Sequence, residues 1–143
     1  MCVKKERHLV CRPESVPAGR RFVAEALTEW GVPCGGREPG AGYDVLLVTS
    51  ELLTNAVRAG VDRVTIEVTG HRDHVEIGVT DDNPRRATLG ALDPRAESGR
   101  GLQIIDSLCR EWGQSEHDGH SKRVWCDLEL GQTPASLAVS CSA

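Results

Sequence analysis

Glu51 and Asn55 stand four residues apart in the segment YDVLLVTSELLTNAVRA and could do chemistry together. Residues at this spacing lie one above the other on an α-helix. A carboxylate can serve as a general base, and an amide oxygen can bind a hard cation. Both side chains fall at the edge of the helix's apolar arc. On this pattern alone a solvated helix edge is the simpler interpretation, and a cleft between helix and sheet is the alternative.

Asp81 continues the alternation of a predicted strand in which Val75, Ile77 and Val79 face the helices. Side chains two residues apart on a strand point to the same side, so Asp81 falls on the helix-facing side. An unpaired carboxylate is costly to bury, which favours an acceptor at the floor of a pocket for a ligand N–H group. The alternative is that the strand ends at Thr80 and that Asp-Asp-Asn-Pro forms a turn.

A third candidate, Gly99-Arg100-Gly101-Leu102, opens a predicted helix. Glycines let a ligand approach the backbone, and the first amide N–H groups of a helix attract phosphate. The dinucleotide pattern G-x-G-x-x-G is incomplete, and the Walker pattern G-K-[ST] is absent. Residues 83–98 form a long loop rich in Pro, Arg, Gly and Ala. Together with the Glu51/Asn55 pair and the helix-facing Asp81, these features are the groups that a nucleotide-binding site with a lid would need.

The elements that must position these residues follow as strand, helix, helix, hairpin, long loop, helix and hairpin. Helices are predicted over residues 13–30, 43–59 and 99–110, and strands over 8–12, 63–68, 75–79, 112–116 and 122–130. The first helix presents Phe22, Val23, Ala26 and Leu27 as its inner stripe. This order predicts an α+β fold, a two-layer α/β sandwich whose mixed, mostly antiparallel sheet has its helices on one face.

The length of 143 residues predicts a single domain over 1–143, with a core over about 8–130. Residues 1–6 are expected to be a loose end, and 132–143 a flexible C-terminal tail. A formal net charge of -4 argues against binding nucleic acid or an anionic membrane by bulk charge. No stretch reaches the ~20 apolar residues of a membrane span, and no signal peptide is recognisable.

The six cysteines form no C-x-x-C pair and no cluster with zinc spacing. Three of them, Cys11, Cys109 and Cys126, lie in apolar periodic segments, as small buried hydrophobic residues do. Free thiols in a reducing cytoplasm are the expectation, and with them a cytoplasmic location.

Four segments, in order, resemble the motifs of the GHKL (Bergerat-fold) ATPases, a superfamily that includes gyrase, heat-shock chaperones and histidine kinases. Residues 51–56 resemble the N box, and 79–84 resemble the first glycine box in its Asp-x-x-Pro variant. Residues 99–102 resemble the second glycine box, and 121–125 the last box. The likeness covers about residues 8–130 and is greatest to the stand-alone bacterial serine/threonine kinases that act as anti-sigma factors.

The resemblance implies ATP and Mg²⁺ as cofactors and gives each candidate a role. Glu51 would be the general base that deprotonates a serine hydroxyl or a water, and Asn55 would bind Mg²⁺. Asp81 would accept a hydrogen bond from the adenine amino group. The phosphates would be cradled by Gly99, Arg100, Gly101 and Leu102, and residues 84–98 would form the ATP lid.

The chain departs from the family pattern in three of these motifs. Ala59-Gly60 stands where His-Ala is usual, and Asn83-Pro84 replaces flexible glycines. In the last box, Ser121 replaces a usual Gly, and Arg123 stands where an adenine-contacting Thr is common.

By resemblance, the chain is an ATP-binding regulatory protein, an anti-sigma factor serine/threonine kinase. Its implied partners are an anti-sigma-factor antagonist, which it phosphorylates, and a sigma factor, which it sequesters; a homodimer is also implied. The departures keep two alternatives open. One is a non-catalytic nucleotide-binding switch that sequesters a sigma factor or antagonist without phosphoryl transfer. The other is a scaffold that binds no nucleotide.

Overall fold

The computed structural model describes residues 3–34, 40–81, 99–117 and 121–131, together with Pro134 and Leu137. Eight elements are formed, in the chain order β1, α1, α2, β2, β3, α3, β4 and β5. The strands are β1 (Val3–Val10), β2 (Arg63–Gly70), β3 (His74–Asp81), β4 (Glu111–His117) and β5 (Ser121–Glu129). The helices are α1 (Ser15–Glu29), α2 (Ala41–Arg58) and α3 (Gly99–Leu108).

The five strands form one sheet in the order β1-β2-β3-β5-β4, and every described pairing is antiparallel. β3 is therefore a central strand, hydrogen-bonded to β2 on one side and to β5 on the other. The helices pack on the sheet as one layer, α1 against β1 and β2, α2 against β3 and β5, and α3 against β4. The predicted α+β two-layer architecture is confirmed.

The core lies between these two layers, where alternate residues of the central strands meet the inner faces of the helices. On the helix side the buried residues include Val23, Ala26, Leu27, Val45, Val48, Leu52, Leu53, Ala56 and Ile105. On the sheet side they include Val64, Ile66, Val68, Val75, Ile77, Val79, Val124, Cys126 and Leu128. Phe22, which was predicted to belong to the inner stripe of α1, is only half-buried.

A glycine in the left-handed region ends each of the first two helices. After α2, Gly60 has φ 75°, and its amide donates to Val57 O at 3.1 Å. The next amide, of Val61, reaches back to Ala56 O at 3.3 Å. This is the Schellman arrangement, which satisfies the last carbonyl groups and turns the chain into β2. Gly31 does the same after α1, with φ 82°.

β1 begins at Val3, so the prediction of a loose end over residues 1–6 is wrong for residues 3–6. The pairing of β1 with β2 extends to Val3 opposite Gly70. The sequence did not predict this part of the strand because its helix-facing positions are occupied by Lys5 and Arg7, so the apolar alternation of a strand is missing there. The Lys5 ammonium pairs with Glu29 at the end of α1, and the Arg7 guanidinium lies 5.9 Å from the centre of the Phe22 ring.

Leu137 belongs to the core, although it lies in the segment that was predicted to be a flexible tail. Its side chain is fully buried. It packs against β2 at Gly70, where an added Cβ would lie 2.7 Å from Leu137 Cδ2 and 2.9 Å from Trp30 Cε3. Leu137 therefore adds to the core at the end where Gly70 and Trp30 meet.

The other face of the sheet carries charged and aromatic side chains. Arg123 lies flat over Gly78 and donates from Nη2 to Glu76 Oε1 at 2.5 Å and to Glu67 Oε2 at 3.4 Å. Trp125 covers Gly113 in the same way. None of the helices in the described ranges combines the length and apolar character needed to cross a membrane.

We expect Gly42→Ala to destabilise the start of α2, because an added Cβ would overlap Pro33 O and lie 2.9 Å from Cys34 Cβ. Since backbone cannot move aside as a side-chain tip can, the free energy of unfolding should fall by about 1–3 kcal/mol in urea titrations. Gly40→Ala, where no atom lies within 4 Å of an added Cβ, is the matched control and should cost no more than about 1 kcal/mol. Equal losses in both variants would contradict this account.

Candidate functional site

Asp81 is the last residue of β3 and is 0% exposed. It pairs with Val64, so the strand does not end at Thr80, and the turn interpretation is wrong at this position. Its side chain falls on the same side as Val79, facing the helices, as the alternation predicts. A carboxyl group therefore stands at the end of the apolar rows of the core, held by a central strand.

Cys11 lies within reach of the charge of this carboxyl group. Burial raises the pKa of the Cys11 thiol, and the negative charges of Asp81 and Asp62 raise it further. The backbone amide of Cys11 donates to Asp62 O at 2.7 Å, which fixes the chain as it leaves β1. The negative field of Asp81 thus acts on its surroundings, and a positively polarised N–H group is the ligand atom that would complement it.

Sequence reasoning missed Cys11 as a neighbour of the site, although a signal was present. Leu9 pairs with Val64, which in turn pairs with Asp81, and Cys11 follows Leu9 by two residues, just beyond the end of β1 at Val10. The alignment of these residues across β1, β2 and β3 depends on the register in which the strands pair, and the sequence of a single strand does not reveal that register.

Glu51 and Asn55 are both half-buried on α2. Around the helix axis they lie between the buried side, which carries Leu52 and Ala56, and the exposed side, which carries Arg58. They lie at the edge of the helix's apolar face, as the spacing predicts. α2 packs against β3, which carries Asp81, and against α3. The pair therefore belongs to a helix that contacts both of the other elements of the candidate site.

Gly99, Arg100, Gly101 and Leu102 form the first turn of α3, which confirms that this segment opens a helix. The first amide groups of a helix have no intrahelical acceptor and point toward its N-terminal end, where they can bind an anion. α3 is held by the fully buried Ile105 and by its contacts with α2 and β4. The predicted lid over 84–98 and the Asn83-Pro84 dipeptide lie outside the described residues.

Arg123 does not take the adenine-contacting position that a Thr commonly occupies in the last box. Its side chain lies on the face of the sheet opposite the helices, bound to Glu76 and Glu67. The inward residue next to it is Val124, which pairs with Val79 and is buried. Strand alternation explains this placement, since a residue beside an inward valine must point outward.

The side chains of the candidate site could bind a divalent cation that is also coordinated by phosphates. Within the described ranges, no group of three or more His, Cys, Asp or Glu residues could hold a metal by itself. Mg²⁺ rarely needs such a cage, because it keeps several waters and takes one or two protein oxygens plus substrate phosphates. A half-buried amide such as that of Asn55 fits this requirement.

A family model described as histidine kinase-like ATPase domain matches residues 9–126. The chain belongs to this family. An uncharacterized protein of Streptomyces coelicolor is 36% identical over 85 residues, which span 54% of this chain and 77% of that protein. Membership of the histidine kinase-like ATPase domains supports ATP binding and a regulatory function, and it agrees with the sheet and helix layers described above.

We expect Arg123→Met to leave ATP affinity unchanged and to lower the free energy of unfolding by about 1–3 kcal/mol, because two half-buried carboxylates lose their shared hydrogen-bond donor. Titration calorimetry with ATP and urea unfolding measure the two quantities. Arg72→Met, which removes an exposed arginine in the β2–β3 turn, is the control and should change neither. A loss of ATP affinity in Arg123→Met alone would return Arg123 to the nucleotide site.

Proposed function

We propose that this histidine kinase-like ATPase domain is a serine/threonine kinase of the anti-sigma type, which holds ATP between α2, the end of β3 and the start of α3. The observation that carries the proposal is the fully buried carboxyl group of Asp81 on the helix-facing side of a central strand. A carboxyl group on that side of the strand can accept a hydrogen bond from an N–H group of a ligand that lies between the sheet and the helices.

The chemistry of Asp81 favours adenine over guanine. A carboxylate only accepts hydrogen bonds, and the exocyclic amino group of adenine is a donor. Guanine presents a carbonyl oxygen at the equivalent ring position, which a buried carboxylate repels. One residue thus supplies both attraction for the intended base and rejection of the alternative.

The phosphates of the nucleotide would be bound by groups on α2 and α3. The first-turn amides of α3, from Gly99 to Leu102, would bind phosphate oxygens, and the amide oxygen of Asn55 would hold the cation. Mg²⁺, when bound, would neutralise charge on the phosphates during transfer. Because α2 and α3 pack against each other, the two sets of ligands are carried by neighbouring helices.

Glu51 would be the base for transfer. Its carboxylate would take the proton of a serine hydroxyl on the substrate protein as that oxygen forms a bond to the γ-phosphorus. The bond between the γ-phosphorus and the oxygen of the departing ADP would break in the same step. A half-buried position on the helix edge suits this role, since the base must meet a protein substrate from outside.

The partners are proposed from the family likeness. They are an anti-sigma-factor antagonist that carries the acceptor serine, and a sigma factor that the domain sequesters once the antagonist is phosphorylated. We also propose that the protein is a homodimer and that it acts in the cytoplasm.

A second candidate is a switch that binds nucleotide and partner without transferring phosphate. It is favoured by the replacement of flexible glycines by Asn83-Pro84 in the first glycine box, since a stiffer segment would hinder closure of a lid. Both candidates require ATP binding, and only the first requires Glu51.

We expect Asp81→Asn to weaken binding of a non-hydrolysable ATP analogue by about 1–3 kcal/mol, because a charge-assisted hydrogen bond is exchanged for a neutral one. Titration calorimetry measures it. Asp127→Asn is the matched control, since Asp127 is also a buried strand aspartate, 9% exposed, but points to the opposite face of the sheet. Unchanged affinity in Asp81→Asn, or equal losses in both variants, would remove Asp81 from the nucleotide site.

We expect transfer of radiolabel from γ-labelled ATP to a purified anti-sigma-factor antagonist, and we expect Glu51→Ala to reduce the rate at least about 100-fold as the loss of a general base does. Glu25→Ala, which removes an exposed carboxylate from α1, should keep the full rate. ATP binding without any transfer would favour the switch. Transfer that survives in Glu51→Ala would exclude Glu51 as the base.

A further inference from the structure

Two cysteines lie near each other where the C-terminal end of α3 is tied to β5, in a part of the core that the proposed nucleotide site does not use. Cys126 lies on the helix-facing side of β5 and is fully buried. Cys109 directly follows the last residue of α3 and is half-buried against the same core. Both cysteines are free.

The backbone brings these two residues together. The amide of Cys109 donates to Ile105 O at 2.9 Å, so Cys109 continues the helical turn and lies on the same side as the buried Ile105. The amide of Arg110 then donates to Asp127 O at 2.8 Å, which ties the end of α3 to β5 next to Cys126. Three residues after Cys109, Trp112 pairs directly with Cys126.

The Cys109 thiol and burial both raise the pKa of the Cys126 thiol, as expected for two cysteines that the backbone holds near each other. Cys126 is therefore protonated and shielded from solvent, and the half-buried Cys109 is the sulfur that a small reagent reaches first.

We propose that Cys109 and Cys126 are a redox modification site that closes to an intrachain disulfide when the protein meets a small hydroperoxide such as hydrogen peroxide. The Cys109 thiolate attacks one peroxide oxygen, the O–O bond breaks, and hydroxide leaves, so that Cys109 becomes a sulfenic acid. The Cys126 sulfur then attacks the Cys109 sulfur, its proton joins the departing hydroxide, and water is released. Two thiols are oxidised by one peroxide, which is reduced to two waters.

The disulfide ties the C-terminal end of α3 to β5. It closes the covalent loop from residue 109 to residue 126, which contains β4, and a loop of this length constrains the unfolded chain substantially. The bond also fixes the end of α3 opposite to Gly99. Formation of the bond does not depend on ATP binding, so the proposal stands or falls separately from the proposed function.

The test is to treat the reduced, folded protein with hydrogen peroxide, block the remaining thiols with iodoacetamide and map tryptic peptides. A Cys141→Ser background is used, because cleavage after Arg123 otherwise leaves Cys126 and Cys141 in one peptide. The expected product joins peptide 101–110 to the peptide that begins at Val124, two hydrogen atoms lighter than the separate pair. The melting temperature should rise by roughly 5–10 °C and fall back on addition of dithiothreitol.

Cys109→Ser should abolish both the cross-link and the shift in melting temperature. Cys34→Ser is the matched control and should keep both, since Cys34 is half-buried elsewhere, 3.7 Å from Thr28 Oγ1. Alkylation of both thiols after peroxide treatment would overturn the proposal. So would a sulfinic acid at Cys109 with Cys126 still a thiol, or a cross-link of either residue to another cysteine. The mapping of the Cys141→Ser chain decides the matter even if the Cys109 variant fails to fold.

Discussion

A carboxyl group buried at the end of a central strand is the constraint on which the rest of this structure depends. Asp81 can be kept there because β2 and β5 hold β3 from both sides and the helix layer covers it. A group fixed in this way needs no rearrangement when a ligand arrives, and a low-dielectric surrounding strengthens its interaction with a donor. The same burial makes the position intolerant of a ligand that offers an acceptor instead.

The two faces of the sheet carry different kinds of side chains. The helix-facing side carries the apolar core and Asp81, whereas the other face carries Arg123 with Glu67 and Glu76. A second buried acid, Asp127, lies on that other face, where burial and the negative charge of Glu76 raise its pKa. Buried acids therefore occur on both faces, and only the one that lies under the helices adjoins the elements of the candidate nucleotide site.

Much of the architecture was predictable because it is encoded locally. The alternation of β3 placed Asp81 on the helix-facing side, and the spacing on α2 placed Glu51 and Asn55 at a helix edge. α2 ends at Arg58, next to its predicted end at residue 59, and Gly60 closes it, since a left-handed residue after a helix needs no long-range contact to be recognised. Features whose environment is distant in sequence were less predictable. β1 was cut short because Lys5 and Arg7 find their partners on α1, and the buried position of Leu137 depends on Gly70 and Trp30.

The sequence by itself determined the order of the elements, the inward side of each central strand and the four motifs that mark the family. These are periodicities and short patterns that a chain carries before it folds. Only the tertiary structure decided that the charge of Asp81 reaches Cys11, that Arg123 binds Glu67 and Glu76 across the sheet, and that the end of α3 is held next to Cys126 on β5. Strand register and helix packing bring such residues together, and both are set by the burial of many side chains at once rather than by any one segment.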